Sequence, residues 1–186
     1  MDKMSKYIAF ISLVLLSTHV TGLPDGAPSN ACSDMVPGHL PTSVKGEPPY
    51  QINIEGASYQ PGTPLTGSIT SPSDHVILGI LLEARSVADP SQLVGEFTPA
   101  SEDFKTVCGD NHKSALTHAN PNKKNNVTFS WNPPSTPGED IFFRLTVVES
   151  WFPSKYWLNI TSQTINGCSK KLKFKSHDTK DPCSVF

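Results

Sequence analysis

The sequence predicts an all-β sandwich of seven to nine short strands preceded by an irregular N-terminal arm. Three observations carry that prediction. Short runs of alternating apolar and polar residues recur every eight to twelve residues, separated by turn signals. The longest apolar run outside the N-terminus, His75 to Arg85, is bounded by Ser71-Pro72-Ser73-Asp74 and Ala88-Asp89-Pro90, which favours a strand over a buried helix. Seventeen prolines punctuate the 186 residues, about twice ordinary usage, and no amphipathic helix longer than two turns is visible.

The chain opens with a leader. Lys3 and Lys6 precede an apolar stretch from Ile8 to Leu16, and Val20-Thr21-Gly22 supplies small residues at its exit. Residues 1–22 therefore read as a signal peptide cut after Gly22, too short and wrongly flanked for a membrane span. No other stretch approaches eighteen apolar residues, so the expected product is soluble and secreted, without a transmembrane segment. Leu23 to Pro49 is dense in proline and glycine. Such an arm persists only by lying against the body, where it is expected to cover Ile77 and Leu81.

Tyr50–Ile54 and Leu65–Ile69 alternate as strands, with a turn at Tyr59-Gln60-Pro61-Gly62. His75–Arg85 follows as the central strand. Residues two apart share a face, so Val76, Leu78, Ile80, Leu82 and Ala84 form a wholly apolar side. Ile77, Gly79, Leu81, Glu83 and Arg85 form the other side, expected to be covered at its apolar end and wet at its charged end. Leu93–Phe97 is expected to pair with this strand as a hairpin. Phe104–Cys108 is short, and Gly109–Lys124 reads as a polar loop carrying Ser114-Ala115-Leu116-Thr117-His118. Asn126–Trp131 turns Val127, Phe129 and Trp131 inward. Ile141–Glu149 does the same with Ile141, Phe143, Leu145 and Val147. Tyr156–Ile160, with Thr164-Ile165, completes the sheets.

Four cysteines follow the leader: Cys32, Cys108, Cys168 and Cys183. An even number in an oxidising compartment implies two disulfides, and three pairings are possible. The preferred pairing joins Cys32 to Cys108, tying the arm to the body, and Cys168 to Cys183, closing a short C-terminal loop. The chain-entropy estimates are about 4.5 and about 3 kcal/mol. A zinc site is disfavoured because no Cys-x-x-Cys occurs. Asn126-Val127-Thr128 and Asn159-Ile160-Thr161 are N-glycosylation sequons.

The formal net charge of −2 gives no electrostatic case for nucleic acid. Gly-x-Ser-x-Gly, His-Glu-x-x-His and Gly-rich phosphate loops are missing from the sequence, so no catalytic residue and no cofactor is assigned. His39, His75, His112, His118 and His177 are scattered. Asp110, His112 and His118 share one predicted loop and could ligate a metal, although a solvated loop is the simpler reading, and no metal is assigned.

Two stretches are candidates for binding. Trp151-Phe152-Pro153 and Tyr156-Trp157 bracket a turn, and an exposed Trp151 or Tyr156 could stack on sugar rings. The competing reading packs these aromatics in the core. In Ser169–Lys175, Lys171, Lys173 and Lys175 fall on one face of an extended chain, with Leu172 and Phe174 on the other. Such a cationic ribbon suits anionic lipid phosphates, although an edge strand guarded by lysines is the simpler reading.

Several segments together resemble a known family. They are Pro24-Asp25-Gly26-Ala27-Pro28 with Ala31-Cys32 and Met35-x-Pro37-x-His39; Gly79-Ile80-Leu81-Leu82-Glu83-Ala84-Arg85; Gly95-x-Phe97; Cys108 with Ala115-Leu116-Thr117-His118; and Val127-x-Phe129-x-Trp131-x-Pro133-Pro134. In this order they resemble the reeler (reelin N-terminal) domain, over about Pro24 to Ile165. The resemblance implies an immunoglobulin-like β-sandwich. The organisation it suggests is a reeler domain over 23–166 followed by a disulfide-closed, lysine-rich tail over 167–186. Val76-Ile77-Leu78 stands where the family has an aromatic-rich strand start, and Glu83 where it commonly has glutamine. A lone secreted reeler domain most resembles the small insect defence (noduler-like) proteins. That likeness implies a non-enzymatic innate-immunity protein binding microbial cell-surface glycans or lipids, such as lipopolysaccharide, lipoteichoic acid or β-glucan, or a blood-cell surface protein. The alternative it leaves is an extracellular-matrix or adhesion module binding another protein.

Overall fold

The computed structural model describes residues 23–38, 43–136, 138–151, 153–168 and 183. The predicted signal peptide and Lys171, Lys173 and Lys175 lie outside them. A single 3-10 turn, Ser29–Cys32, sits in the arm. The strands are β1 (Gln51–Ile54), β2 (Ser58–Tyr59), β3 (Leu65–Thr70), β4 (Gly79–Ser86), β5 (Glu96–Thr98), β6 (Phe104–Val107), β7 (Ala115–His118), β8 (Asn126–Asn132), β9 (Ile141–Trp151), β10 (Ser154–Thr161) and β11 (Asn166–Gly167).

Two antiparallel sheets form a sandwich. One has the order β1-β3-β8-β5 and the other β10-β9-β4-β7-β6, while β11 and β2 make a short parallel pair. The alternating strands supply the interior as predicted. Val127, Phe129 and Trp131 of β8 face Ile141, Phe143, Leu145 and Val147 of β9, all buried in one cluster. Phe143 is the hub of an aromatic group, its ring centroid 5.4 Å from Phe129, 5.7 Å from Trp131 and 6.1 Å from Phe97. Trp131 is wholly buried, and its indole N–H donates to the Val94 carbonyl at 2.9 Å, satisfying the one polar atom it carries inside.

β4 occupies the centre of the five-stranded sheet. It pairs with β9 from Gly79↔Val148 to Ser86↔Ile141 and with β7 from Leu81↔Thr117 to Glu83↔Ala115. All eight of its residues are buried. Ile80, Leu82 and Ala84 enter the main core as expected.

Four expectations are corrected here. Ile77 also enters the main core, whereas Leu78 is partly exposed, so the alternation slips before Gly79. Gly79 is required at that slip, because a Cβ there would lie 2.8 Å from the His118 ring. The charged end of β4 is not wet: Glu83 is 0% and Arg85 3% exposed. Ala115–His118, taken as part of a polar loop, is the buried strand β7. Four residues are too few to show a period, and Thr117 and His118 disguise the strand because their polar atoms are satisfied internally. Finally, β5 does not form a hairpin with β4. Only an Arg85↔Leu93 bridge remains between the two segments, and β5 pairs with β8 in the opposite sheet. Gly95 makes that crossing at φ +70°, where a Cβ would meet the Trp131 ring and the Asn132 carbonyl at 2.6 Å.

Both preferred disulfides are present. Cys32 joins Cys108 with Cα atoms 5.8 Å apart, and Cys168 joins Cys183 at 5.6 Å.

Candidate functional site

The outer face of the five-stranded sheet is covered by the arm. Ala31 and Met35 pack on Leu81, Ala115 and the Cys108 half-cystine, forming a second apolar cluster separate from the main core. The arm therefore covers Leu81 as expected, but Ile77 belongs to the core beneath. Among the described arm residues one parallel bridge, Ser43↔Tyr156, joins the sheet through the Val44 N–H on the Tyr156 carbonyl at 2.9 Å, and other backbone polar groups of the arm find side-chain partners. The Ala27 N–H donates to Thr117 Oγ1 at 2.9 Å, and Thr146 Oγ1 donates to the Met35 carbonyl at 2.9 Å. Thr117 Oγ1 itself donates to the Ile80 carbonyl at 2.7 Å, tying arm to sheet through one hydroxyl.

Arg85 is the strongest of these ties. Its Nε and Nη2 donate to Glu83 Oε2 at 2.9 and 2.5 Å. Nη2 also reaches the Cys32 carbonyl at 2.8 Å, and Nη1 reaches the Pro90 and Ser91 carbonyls at 2.8 and 3.2 Å. The five guanidinium donors are thus all placed. Burial pushes the Glu83 carboxyl above its ordinary range, while the charge and hydrogen bonds of Arg85 pull it back. Cys32, Glu83 and Cys108 stand close enough to suggest a metal cluster, but the two sulfurs are bonded to each other, leaving no thiolate to ligate.

Between arm and sheet lies a cavity of about 70 Å³. Ala27, Pro28, Ala31 and Met35 form its arm side, and Leu81, Val148 and Trp151 its sheet side. His118 lies in its wall, 4% exposed. The Ile80 N–H donates to His118 Nδ1 at 3.2 Å, which places the ring proton on Nε2, 3.3 Å from the Leu23 carbonyl. Burial pushes the His118 pKa below its ordinary value, with the charges of Lys124 and Lys105 acting the same way against the backbone hydrogen bonds. Both ring nitrogens are therefore committed, and the neutral imidazole serves as a strut for the arm.

The predicted binding residues separate. Trp151 is half-buried at the cavity wall, its ring centroid 5.9 Å from that of His118. Tyr156 is 2% exposed, so it does not present a ring for stacking on sugars. This corrects its candidacy: the hairpin between β9 and β10 turns Tyr156 inward. Trp157 is also buried, its indole N–H donating to Glu149 Oε2 at 2.8 Å beside Lys155 Nζ on Oε1 at 2.7 Å. The proposed trio of Asp110, His112 and His118 is split, since Asp110 and His112 are exposed while His118 is in β7. Asn126 and Asn159 are both exposed, and Asn159 sits at φ +58° in an irregular part of β10 with Oδ1 accepting from Arg144. Leu23 and Thr146 were not singled out from sequence, and Met35 entered only as part of the family resemblance, not as a contact residue. They matter only because distant segments meet, and the sole local hint was the apolar Met-Val-Pro within a polar arm.

This arrangement holds its polar side chains on backbone partners, Thr117 on Ile80, Thr146 on Met35 and His118 between Ile80 and Leu23. It defines a disulfide-stapled β-sandwich whose outer sheet face carries a preformed apolar cavity under a pinned arm. The sequence model of the Reeler domain matches residues 30–172, and the chain belongs to that family. It is 31% identical to the protein named "Putative defense protein Hdd11" of Hyphantria cunea, over 84% of this chain and 95% of that one. It is likewise 31% identical to "Putative defense protein 1" of Antheraea mylitta, over 85% and 93%. Ferric-chelate reductase 1 of Mus musculus is 30% identical over 86% of this chain, but the match spans only 26% of that longer protein. Among solved structures, the human F-spondin reeler domain superposes with a TM-score of 0.57 at 15% identity, over 68% of this chain and 94% of that one, a likeness of fold. No helix among the described residues is long and apolar enough to cross a membrane.

Proposed function

We propose that the protein is a secreted, non-enzymatic innate-immunity protein that binds microbial surface molecules, whether lipopolysaccharide, lipoteichoic acid or β-glucan, or blood cells. The observation that carries this reading is the match to the two defense-named proteins along nearly their whole length. The reductase relatives are matched over about a quarter. The pinned arm adds a physical reason, because its face presents a preformed, mostly apolar cavity. Exposed Asn126 and Asn159 carry N-linked glycans in this reading, and a mass decrease on treatment with an amidase specific for N-glycans checks it.

The test is a pull-down of the purified mature chain on immobilised lipopolysaccharide, lipoteichoic acid and β-glucan, on whole bacteria and on blood cells. Saturable binding to at least one microbial surface or to the blood cells is expected. Failure on all of them would contradict the proposal.

A further inference from the structure

We infer that the cavity under the arm binds the aliphatic end of an acyl chain carried by an anionic amphiphile. This deepens the surface-binding reading by naming the ligand chemistry, and it rests on that reading only for its biological setting.

The first argument is what the cavity lacks. Its wall is apolar apart from His118 and Thr146, and both are engaged: the imidazole with the Ile80 N–H and the Leu23 carbonyl, the hydroxyl with the Met35 carbonyl. A sugar entering here would leave its hydroxyls unpaired, whereas methylene groups lose nothing. The volume of about 70 Å³ is roughly half that of an apolar cavity able to hold benzene, room for the end of a chain rather than a whole lipid.

The second argument is independent of the cavity wall. Three large hydrophobic side chains are exposed among the described residues, and two of them, Leu23 at 41% and Val36 at 38%, line this cavity. An exposed apolar rim around an apolar hole extends the surface along which a chain can lie. The third argument is charge. The Lys105 stem packs on Gly26 of the arm, and its ammonium meets Asp25 at 4.0 Å with both groups exposed, a contact that leaves the cation available. A carboxylate or phosphate head group is attracted there, while the tail enters beside Ala31.

The cavity is preformed, so a ligand need not organise it. The Cys32–Cys108 bond and the Arg85 hydrogen bond to the Cys32 carbonyl hold the arm over the sheet before anything binds.

Titration calorimetry of the mature, disulfide-intact protein with decanoate and butyrate tests this, with intrinsic tryptophan fluorescence, to which Trp151 at the cavity wall contributes, as a second readout. Each methylene withdrawn from water is worth about fourfold in affinity, so decanoate is expected to bind at least about tenfold tighter than butyrate. Ala31→Phe, which fills the cavity, is expected to abolish the preference. Should that variant not fold, the surface pair Leu23→Ser with Val36→Ser is expected to weaken decanoate several-fold. Lys105→Gln is expected to weaken decanoate and leave decanol unchanged. Equal affinities for the two acids, undiminished decanoate binding in a folded Ala31→Phe or in the rim pair, or competition by a β-glucan oligosaccharide would overturn the proposal. Bacterial binding by a wild-type protein that does not take decanoate overturns the acyl site alone. Decanoate binding without any cell binding supports the acyl site and overturns only the surface-binding reading.

Discussion

The two faces of β4 are covered by different kinds of chain. Ile80, Leu82 and Ala84 pack against β8 and its neighbours, where period-two strands meet period-two strands. Leu81, Glu83 and Arg85 lie under an arm with one short 3-10 turn, whose attachment depends on a disulfide and on single side-chain hydrogen bonds. The inner face is held by area and shape. The outer face is held at a few named points. That contrast explains why a cavity persists on one side and a close-packed aromatic cluster on the other.

The largest effect separating the faces is expected from Cys32→Ala with Cys108→Ala. The loop it releases spans 76 residues, and the chain-entropy model assigns about 4.5 kcal/mol. Urea unfolding measures the loss, and exposure of Met35 to oxidation reports that it falls on the arm. Phe143→Ala strikes the inner face instead and is expected to cost about 4 kcal/mol through the cavity it leaves. That loss should appear as one cooperative transition with no selective release of Met35. Arg85→Met comes next, at about 3 kcal/mol or more, because it strands Glu83 as an unpaired buried carboxylate. Adding Glu83→Gln is expected to recover much of that cost, and a failure to recover would show that the arm contact, rather than the charge pair, dominates. Thr146→Val removes only the bond to the Met35 carbonyl and is expected to cost about 1 kcal/mol.

Acid sharpens the same contrast more gently. His118 is buried neutral with its pKa below the ordinary value, so the unfolded chain takes up its proton first as pH falls below about 6.5. Stability is therefore expected to decline from there towards the folded pKa, and His118→Gln to flatten that decline. Glu149 acts lower on the scale. Burial alone would raise it, but hydrogen bonds from Lys155 and Trp157 and the charges of Lys155 and His75 bring it below its ordinary value. Its contribution is present above the unfolded carboxyl pKa and is lost as pH falls through the folded one. Thermal melts between neutral and acid pH measure both.

The same contrast decides what could be read from the sequence. Val127, Phe129 and Trp131, and Ile141 through Val147, announce their inward face by alternation alone. The pairing of Cys32 with Cys108 was the preferred one of three possible, because it pins an irregular arm. The burial of Glu83 and Arg85 was not legible, since each looks like the solvated end of a strand until the Cys32, Pro90 and Ser91 carbonyls are seen around the guanidinium. Ala115–His118 hid for a similar reason: Thr117 and His118 read as loop residues because their partners, Ile80 and the arm, are distant in sequence. Tyr156 stayed open between a stacking ring and a core aromatic, because register shifts in β10 break the simple alternation that would have placed it. The cavity had no signature at all, being a gap between segments.

Native-state hydrogen exchange at the arm amides tests the central claim most directly. The Ala27, Ala31 and Met35 N–H groups donate to Thr117 Oγ1, the Pro28 carbonyl and the Ala31 carbonyl. If the arm is a folded lid, they exchange far below their intrinsic rates, slow further with decanoate, and lose protection when Cys32 and Cys108 are replaced while Leu82 and Leu145 stay protected. Exchange of the arm amides at intrinsic rates in the intact protein would contradict it.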